Sequence, residues 1–499
     1  MLEEPVVDPR TPVLIGAGQL SNRVDRGATP LEPVDLIAES LRRAADDTGI
    51  GSAALTGADA VHIVGLLSWR YRDPGLLVAQ RVGADPRTTT VTGMGGNGPQ
   101  SLVNLASLAI LAGEADLVLL GGAEAWRTRM GARTAGVELD WTHQADDVPE
   151  AARSVVEVPM TAPGEQARGV VMPVQVYPLF EQGHRIKIGR DLDTHLAAVA
   201  ELWAGFSEVA SRNPHAWIQE AYTAEQIRTP TPENRMIGFP YTKRMNSNNA
   251  VEQGAAVILC SAERAEALGV PRDRWVFPHS GSDAHDHYRV SERDDLGSSP
   301  AMRLAGRAAL ALAGVGVDDL AHVDLYSCFP SAVEIGAAEL GLRTDRPLTV
   351  TGGLSFAGGP WNNYVMHSIA TMAGRLREDA GAVGLVTANG GFITKHAFGV
   401  YGTEPPAAGF RHAEPQAEVD ALPRRELDEA PDGEITIETW TAMHDRDGAP
   451  ENGIVVGLLD DGRRAIGTTA DADALKALVT EDLAGRRARV APDGATELL

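Results

Sequence analysis

Short apolar runs alternate with longer amphipathic stretches through most of the chain. Residues 11–17 (TPVLIGA), 60–65 (AVHIVG) and 88–92 predict strands, as does 117–120 (LVLL), which Gly121–Gly122 closes. Runs that are apolar at every position, without polar alternation, belong to parallel sheets covered on both faces by helices. Pro33–Asp47 has helical spacing and begins with proline, whose missing N–H does no harm in a first turn. A glycine cluster then opens a second helix over residues 99–112.

The same order returns later in the chain. Residues 255–260 (AAVILC) predict a strand, Pro300–Ala313 a helix again begun by proline, and 323–326 a strand. Residues 349–353 lead through glycines into a helix over 362–376, then a strand over 383–387 closed by Gly390 and Gly391. The recurrence predicts a duplicated α/β fold with halves at 1–122 and 241–404. Residues 123–240 interrupt it with long polar segments and one helical stretch, 194–210, and read as an inserted loop or lid region. Residues 404–415 turn proline- and acid-rich, a linker signal. Beyond them, 434–442 alternates with a period of two, and 453–459 and Arg464–Thr469 suit partner strands. A small β-rich C-terminal domain over 405–499 is expected.

Composition narrows the function. The 499 residues are 43% hydrophobic and 22% charged, ordinary globular usage, so wholesale disorder is excluded. The net charge of −24 opposes binding to a phosphate backbone, so no nucleic-acid partner is expected. The only cysteines, Cys260 and Cys328, give neither a disulfide framework nor a cysteine-rich metal site. The acidic N-terminal stretch lacks a signal-peptide layout, and no apolar run reaches the about 18 residues of a membrane span. A cytoplasmic protein is expected.

Five segments carry candidate chemistry. Residues 92–100 (TGMGGNGPQ) run from a strand into a helix whose N-terminus, at Gly98, can hold an anion or activate a thiol. No thiol is present there, and no lysine follows to make a phosphate loop; a tight turn is the plainer reading. Residues 352–360 (GGLSFAGGP) form a similar joint. Residues 325–331 (LYSCFPS) set Tyr326, Ser327 and Cys328 just after a strand. Residues 387–396 (TANGGFITKH) place Lys395 and His396 past a glycine turn, as acid–base groups or a surface pair. Residues 283–287 (DAHDH) have ligand types for a divalent metal, although such polar runs are commonly loops, and no metal site is assigned.

Together, and in this order, the first four segments resemble the thiolase superfamily from about residue 13 to residue 401. Residues 95–116 with the following LVLLGGAE resemble the nucleophile loop, its helix and the next strand. Residues 243–261 (KRMNSNNAVEQGAAVILCS) are similar to the family's Asn/Ser-rich turn and strand. Residues 325–329 sit where thiolases have Asn-Glu-Ala-Phe or His-Asp-Cys-Phe, and 352–360 on the Gly-His-Pro segment. The resemblance implies αβαβα layering with two stacked five-stranded sheets. It also exposes departures. The nucleophilic cysteine falls on Gly96 (Gly95 with a one-residue shift), the Gly-His-Pro histidine on Gly359, and the second cysteine on Thr387 or Ala388. Cys328 alone survives, preceded by Tyr326 and Ser327. Missing cysteines with a C-terminal extension resemble the thiolase-like proteins type 1 of actinobacteria, catalogued as acetyl-CoA acetyltransferases and without the usual thiolase activity.

The resemblance implies no prosthetic group and CoA or an acyl-CoA as the small-molecule ligand. Gly98, Arg185, Lys187, Lys243, Arg244 and Asn249 are the candidates to hold it. Glycine offers no side chain to acylate, so ordinary thiolase chemistry is not expected. Two other readings stand beside simple CoA binding. One is a different reaction in the same cleft, either a retro-aldolase that cleaves β-hydroxyacyl thioesters with Tyr326, aided by Cys328 or His396, or other acyltransferase chemistry. The other is a non-catalytic scaffold that meets a protein partner through its C-terminal domain. Thiolases dimerise through the strand at residues 88–92, whereas the type 1 relatives imply a monomer.

Overall fold

The computed structural model describes residues 7–154 and 158–499. The first sheet contains β1 (Pro12–Ser21), β2 (Ala60–Ile63), β3 (Thr88–Val91), β4 (Leu117–Ala125), β5 (Ala152–Arg153) and β6 (Glu252–Ser261). Its order is β1-β6-β4-β2-β3-β5. The second contains β7 (Phe277–His285), β8 (Leu320–Asp324), β9 (Val383–Gly390), β10 (Lys395–Gly402) and β11 (Arg411–Ala413), ordered β8-β9-β10-β7-β11. The helices that position the site are α1 (Pro33–Asp47), α2 (Gly98–Ala112), α3 (Pro173–Lys187), α4 (Leu192–Arg212), α5 (Pro300–Ala313), α6 (Pro330–Leu340) and α7 (Tyr364–Glu378). α1 covers the first sheet, α2 and α7 pack between the sheets, and α5 covers the second, giving αβαβα layering. No helix among the described residues is long and apolar enough to cross a membrane.

Several elements differ from the sequence expectation. β4 continues through Gly121–Gly122 to Ala125 instead of ending there. A Cβ on Gly122 would lie 2.2 Å from the side-chain oxygen of Asn363, whose Nδ2 donates to Gly122 O at 2.5 Å. The glycine admits a neighbour rather than stopping the strand. β9 likewise runs on to Gly390. The first sheet has six strands, because the two-residue β5 pairs with Thr90 and Val91 of β3 and so occupies that edge. The DAHDH run is no free loop: Asp283, Ala284 and His285 end β7 and pair with β10. Residues 123–240 hold two long helices, α3 and α4, and lend Met236–Gly238 to a third sheet, which Tyr241–Thr242 just beyond them also joins.

That third sheet is the β-rich C-terminal unit. It contains β12 (Gly433–His444), β13 (Pro450–Leu459), β14 (Arg464–Thr469), β15 (Arg487–Val490) and β16 (Thr496–Leu498), ordered β14-β13-β12-β15-β16. Helix α8 (Ala472–Thr480) covers one face. The alternation of β12 holds at Ile435 and Ile437, then shifts register before Thr439. Past the shift both faces are buried. Trp440 Nε1 donates to Leu478 O at 2.9 Å under α8, while Thr439 Oγ1 donates to Leu179 O of α3 at 2.6 Å. Two buried arginines complete the joint. Both terminal nitrogens of Arg185 donate to Asp482 at 2.8 Å. Arg464 bonds Glu438 at 2.9 Å and the carbonyls of Ser291 and Arg293.

A buried ion pair stripped of one partner leaves an uncompensated charge, so Arg464→Met should lower stability by about 3 kcal/mol. Urea unfolding followed by tryptophan fluorescence will show an earlier first transition; an unchanged transition would mean that Arg464 does not hold the C-terminal unit in place.

Candidate functional site

The site forms where the ends of β8 and β9 meet the N-terminus of α2. Tyr326 lies two residues past β8, and its N–H donates to Thr387 Oγ1 of β9 at 2.9 Å. The ring then projects against Gly96, two residues before α2. A Cβ on Gly96 would lie 2.4 Å from the Tyr326 hydroxyl and 2.6 Å from Asn389 O. Gly96 has no left-handed backbone, so glycine is required here for space rather than for conformation. The volume that a residue 96 side chain would fill belongs to Tyr326. The counterpart at Gly359 is similar: a Cβ there would lie 2.8 Å from Asn249 Oδ1.

Cys328 completes the wall. Its thiol is hydrogen-bonded to the Tyr177 hydroxyl, which donates to Gly391 O at 3.1 Å and accepts from Asn389 Nδ2 at 3.2 Å. Tyr177 comes from α3 and stacks on Phe329 with ring centres 4.4 Å apart. Tyr326 meets Tyr364 edge-on at 5.6 Å. Two polar atoms are left over: Asn389 Oδ1 and Asn246 Oδ1 are buried without a hydrogen-bond partner. Backbone strain gathers here as well. Trp361 and Ile393 are non-glycine residues in the left-handed region, at φ 46° and 50°, a placement that clusters at functional sites.

Burial sets the proton chemistry. It pushes the Cys328 thiol up to about 12, and the hydrogen bond from Tyr177 only partly offsets this. Tyr326 is raised well above the ordinary tyrosine value, first by burial and then by Cys328 and Tyr364. Neither residue is an anion at neutral pH, so the wall presents a neutral thiol and a neutral phenol. A thiolate, not a thiol, is the nucleophile of acyl transfer.

The remaining sequence candidates scatter. His396 is fully buried, 3.3 Å from both Asp286 Oδ2 and Ser299 Oγ, and belongs to a structural network rather than to Tyr326. Arg185 is 2% exposed and held by Asp482, so it offers no charge to a ligand phosphate. Lys187 donates to Asp295 at 2.7 Å. Lys243 is exposed, and Arg244 lies over the Tyr222 ring at 4.4 Å. Both begin the segment through which Ser247 Oγ donates to Cys328 O and Asn249 reaches Gly359. Gly98 opens α2 against Thr92. Asp283 accepts from Asn104 and His412, while Asp286 accepts from Ser299 and Ala301 N, so the DAHDH residues do not converge on one ion. Sequence reasoning missed Tyr177, Asn389 and Tyr364. Asn389 lies inside the singled-out TANGG run; nothing in the sequence pointed to Tyr177.

Similarity to known proteins is consistent with this geometry. The thiolase-like protein type 1 additional C-terminal domain matches residues 414–495. The crystal structure of a monomeric SCP2-thiolase like protein type 1 from Mycobacterium smegmatis is 34% identical, with a TM-score of 0.84 over 99% of this chain and 100% of that one. The chain belongs to the SCP2-thiolase-like proteins of type 1. Two further structures share the fold with this type 1 chain. The Ltp2-ChsH2(DUF35) aldolase has a TM-score of 0.60 at 19% identity over 80% of this chain and 99% of that one. An acetyl-CoA acetyltransferase from Syntrophomonas wolfei has 0.55 at 15% over 80% and 100%. A curated acetyl-CoA acetyltransferase of Methanocaldococcus jannaschii is 24% identical over 267 residues, 53% of the type 1 chain and 60% of that protein's length.

The shared volume predicts a coupling in the type 1 chain. Gly96→Ala should destabilise by about 1–3 kcal/mol through overpacking, and the part due to the tyrosine ring should vanish in a Tyr326→Gly background, leaving the part due to Asn389 O. Thermal unfolding of the four-member cycle measures it; additive effects would separate the two positions. Cys328 has a second signature. At pH 7 it should resist iodoacetamide, and its labelling should rise about tenfold per pH unit toward pH 10 as thiolate accumulates below a value near 12. Peptide mass mapping checks this, and fast labelling at pH 7 would contradict it.

Proposed function

We propose that this protein binds CoA thioesters in the thiolase-type cleft without forming an acyl-enzyme. The observation that carries this reading is the Tyr326 hydroxyl in the space of a side chain at Gly96. With that space filled and Cys328 held as a neutral thiol, the cleft lacks an attacking sulfur. Binding is supported by the unpartnered Asn389 and Asn246 oxygens, by the N-terminus of α2, and by Lys243 and Arg244 at the start of the 243–249 segment. No prosthetic group enters the scheme, and a cytoplasmic setting suits a CoA ligand. A monomer is supported by β5 on the outer edge of β3 and by the monomeric relative.

A second reading, retro-aldol cleavage of a β-hydroxyacyl-CoA, is favoured by one observation: a phenol stands where the thiolase nucleophile would. In that reading Tyr326 would first have to lose its own proton, against the burial that raises it, before it could take the substrate's hydroxyl proton. The scaffold reading has less support, because the C-terminal sheet is docked on α3 through Arg185 and on the carbonyls of Ser291 and Arg293 through Arg464.

Titration calorimetry with acetyl-CoA should show one binding site, and intact-mass spectrometry after incubation should show no covalent acetyl group. An acetyl adduct, or no heat at millimolar ligand, would overturn the proposal. Tyr326→Phe separates the two readings: binding should persist, and any β-hydroxyacyl-CoA cleavage by the parent should fall by about 100-fold or more.

A further inference from the structure

Glu181, His195 and Glu334 come from three different helices, α3, α4 and α6, and meet in the interior away from Tyr326. Each offers one ligand atom, and the three atoms lie within 4.8 Å of one another. We propose that these residues bind one divalent transition-metal ion, zinc by preference, at the floor of a groove beside α4 and α6. The inference is independent of the acyl-CoA reading.

His195 Nε2 lies 2.5 Å from Glu181 Oε1 and 3.7 Å from Glu334 Oε2. All three side chains are more than nine-tenths buried. Glu334 Oε2 has no hydrogen-bond partner, although it faces this cluster. A buried carboxylate oxygen without a partner is costly, and two carboxylates around one imidazole are costlier still unless a cation or protons neutralise them. Without metal the second solution applies. Burial raises Glu334 well above the carboxylate range, and the neighbouring Glu181 charge raises it further. Burial also pushes Glu181 upward, but the hydrogen bond and charge of His195, with hydrogen bonds to Glu334 and Tyr241, outweigh it.

A divalent ion between the three side chains takes the place of the direct His195–Glu181 contact and partners the unpaired Glu334 oxygen. One imidazole and two carboxylates with an open fourth position match the three-ligand, one-water arrangement of zinc. Glu334 also lines a groove of about 940 Å³, which supplies the water and the entry path. Outer contacts are in place: the Tyr241 hydroxyl donates to Glu181 Oε2 at 2.5 Å and lies 2.9 Å from Ser331 Oγ. Arg190 lies 3.4 Å from His195 Nδ1 and 3.7 Å from Glu334 Oε1. With Nδ1 carrying the ring proton in the metal-bound state, Arg190 turns to Glu334 alone.

The test uses the full chain after chelator treatment, titrated with zinc chloride. Calorimetry should give one equivalent, with a raised unfolding temperature, and zinc-edge X-ray absorption should show nitrogen and oxygen neighbours without sulfur. Glu334→Gln keeps the shape of the side chain and removes one carboxylate ligand, and its metal-free unfolding temperature, measured alongside, separates a folding defect from lost binding. Its zinc affinity should fall by more than the about 10–100-fold that losing an outer partner costs. No bound equivalent, sulfur ligation through Cys260 or Cys328, or unchanged affinity in Glu334→Gln would each overturn the proposal. If Glu334→Gln fails to fold, the parent's stoichiometry and absorption spectrum still decide it.

Discussion

Two strand-to-helix joints, one after β3 and one after β8, approach so closely that a single side chain fills the space between them. In this chain that side chain is Tyr326, and residue 96 is reduced to backbone. The constraint is steric, because the backbone at Gly96 would accept other residues. Its consequences are chemical. The atom facing the entrance of α2 is a phenol hydroxyl anchored on the opposite wall, with the Tyr326 N–H tied to Thr387. Burial on every side then keeps Tyr326 and Cys328 protonated. The joint at the entrance of α2 is therefore lined by neutral groups.

The C-terminal sheet takes part in this arrangement. It grips α3 through Thr439, Arg185 and the Met236–Gly238 strand, and α3 carries both Tyr177 and Glu181. Tyr177 sets the environment of Cys328, and Glu181 sits one helical turn further on, beside His195. One helix held between the core and the C-terminal unit therefore connects the cleft to the buried carboxylate–imidazole cluster. Tyr241 extends that connection through Ser331, at the start of the helix that follows Cys328 and Phe329.

Much of the fold was legible because burial leaves a periodic trace. Pro33–Asp47 and Pro300–Ala313 are helices over those same bounds, and the β-branched and apolar runs became sheet. Glycines were the weak point. Gly390 does end its strand, but Gly121–Gly122 read as a strand end and lie within β4, where Asn363 approaches the backbone. The charged candidates were weaker still. Arg185 and His396 have suitable chemistry, but their partners Asp482 and Asp286 are remote in sequence or lie in another strand's continuation, so their neutralisation leaves no local pattern.

While the αβαβα layering entered only through the resemblance, the sequence by itself determined the alternating, repeated strand and helix order, the added β-rich unit and the absence of cysteine at the helix entrance. Each of these follows from periodicity or from residue identity at a single position. Only the tertiary structure decided that Tyr326 occupies the volume opposite Gly96, that Tyr177 faces Cys328, and that Glu181, His195 and Glu334 converge. Those facts depend on distances between segments far apart along the chain. Packing fixes such distances through shape and close contact, and no single segment encodes them.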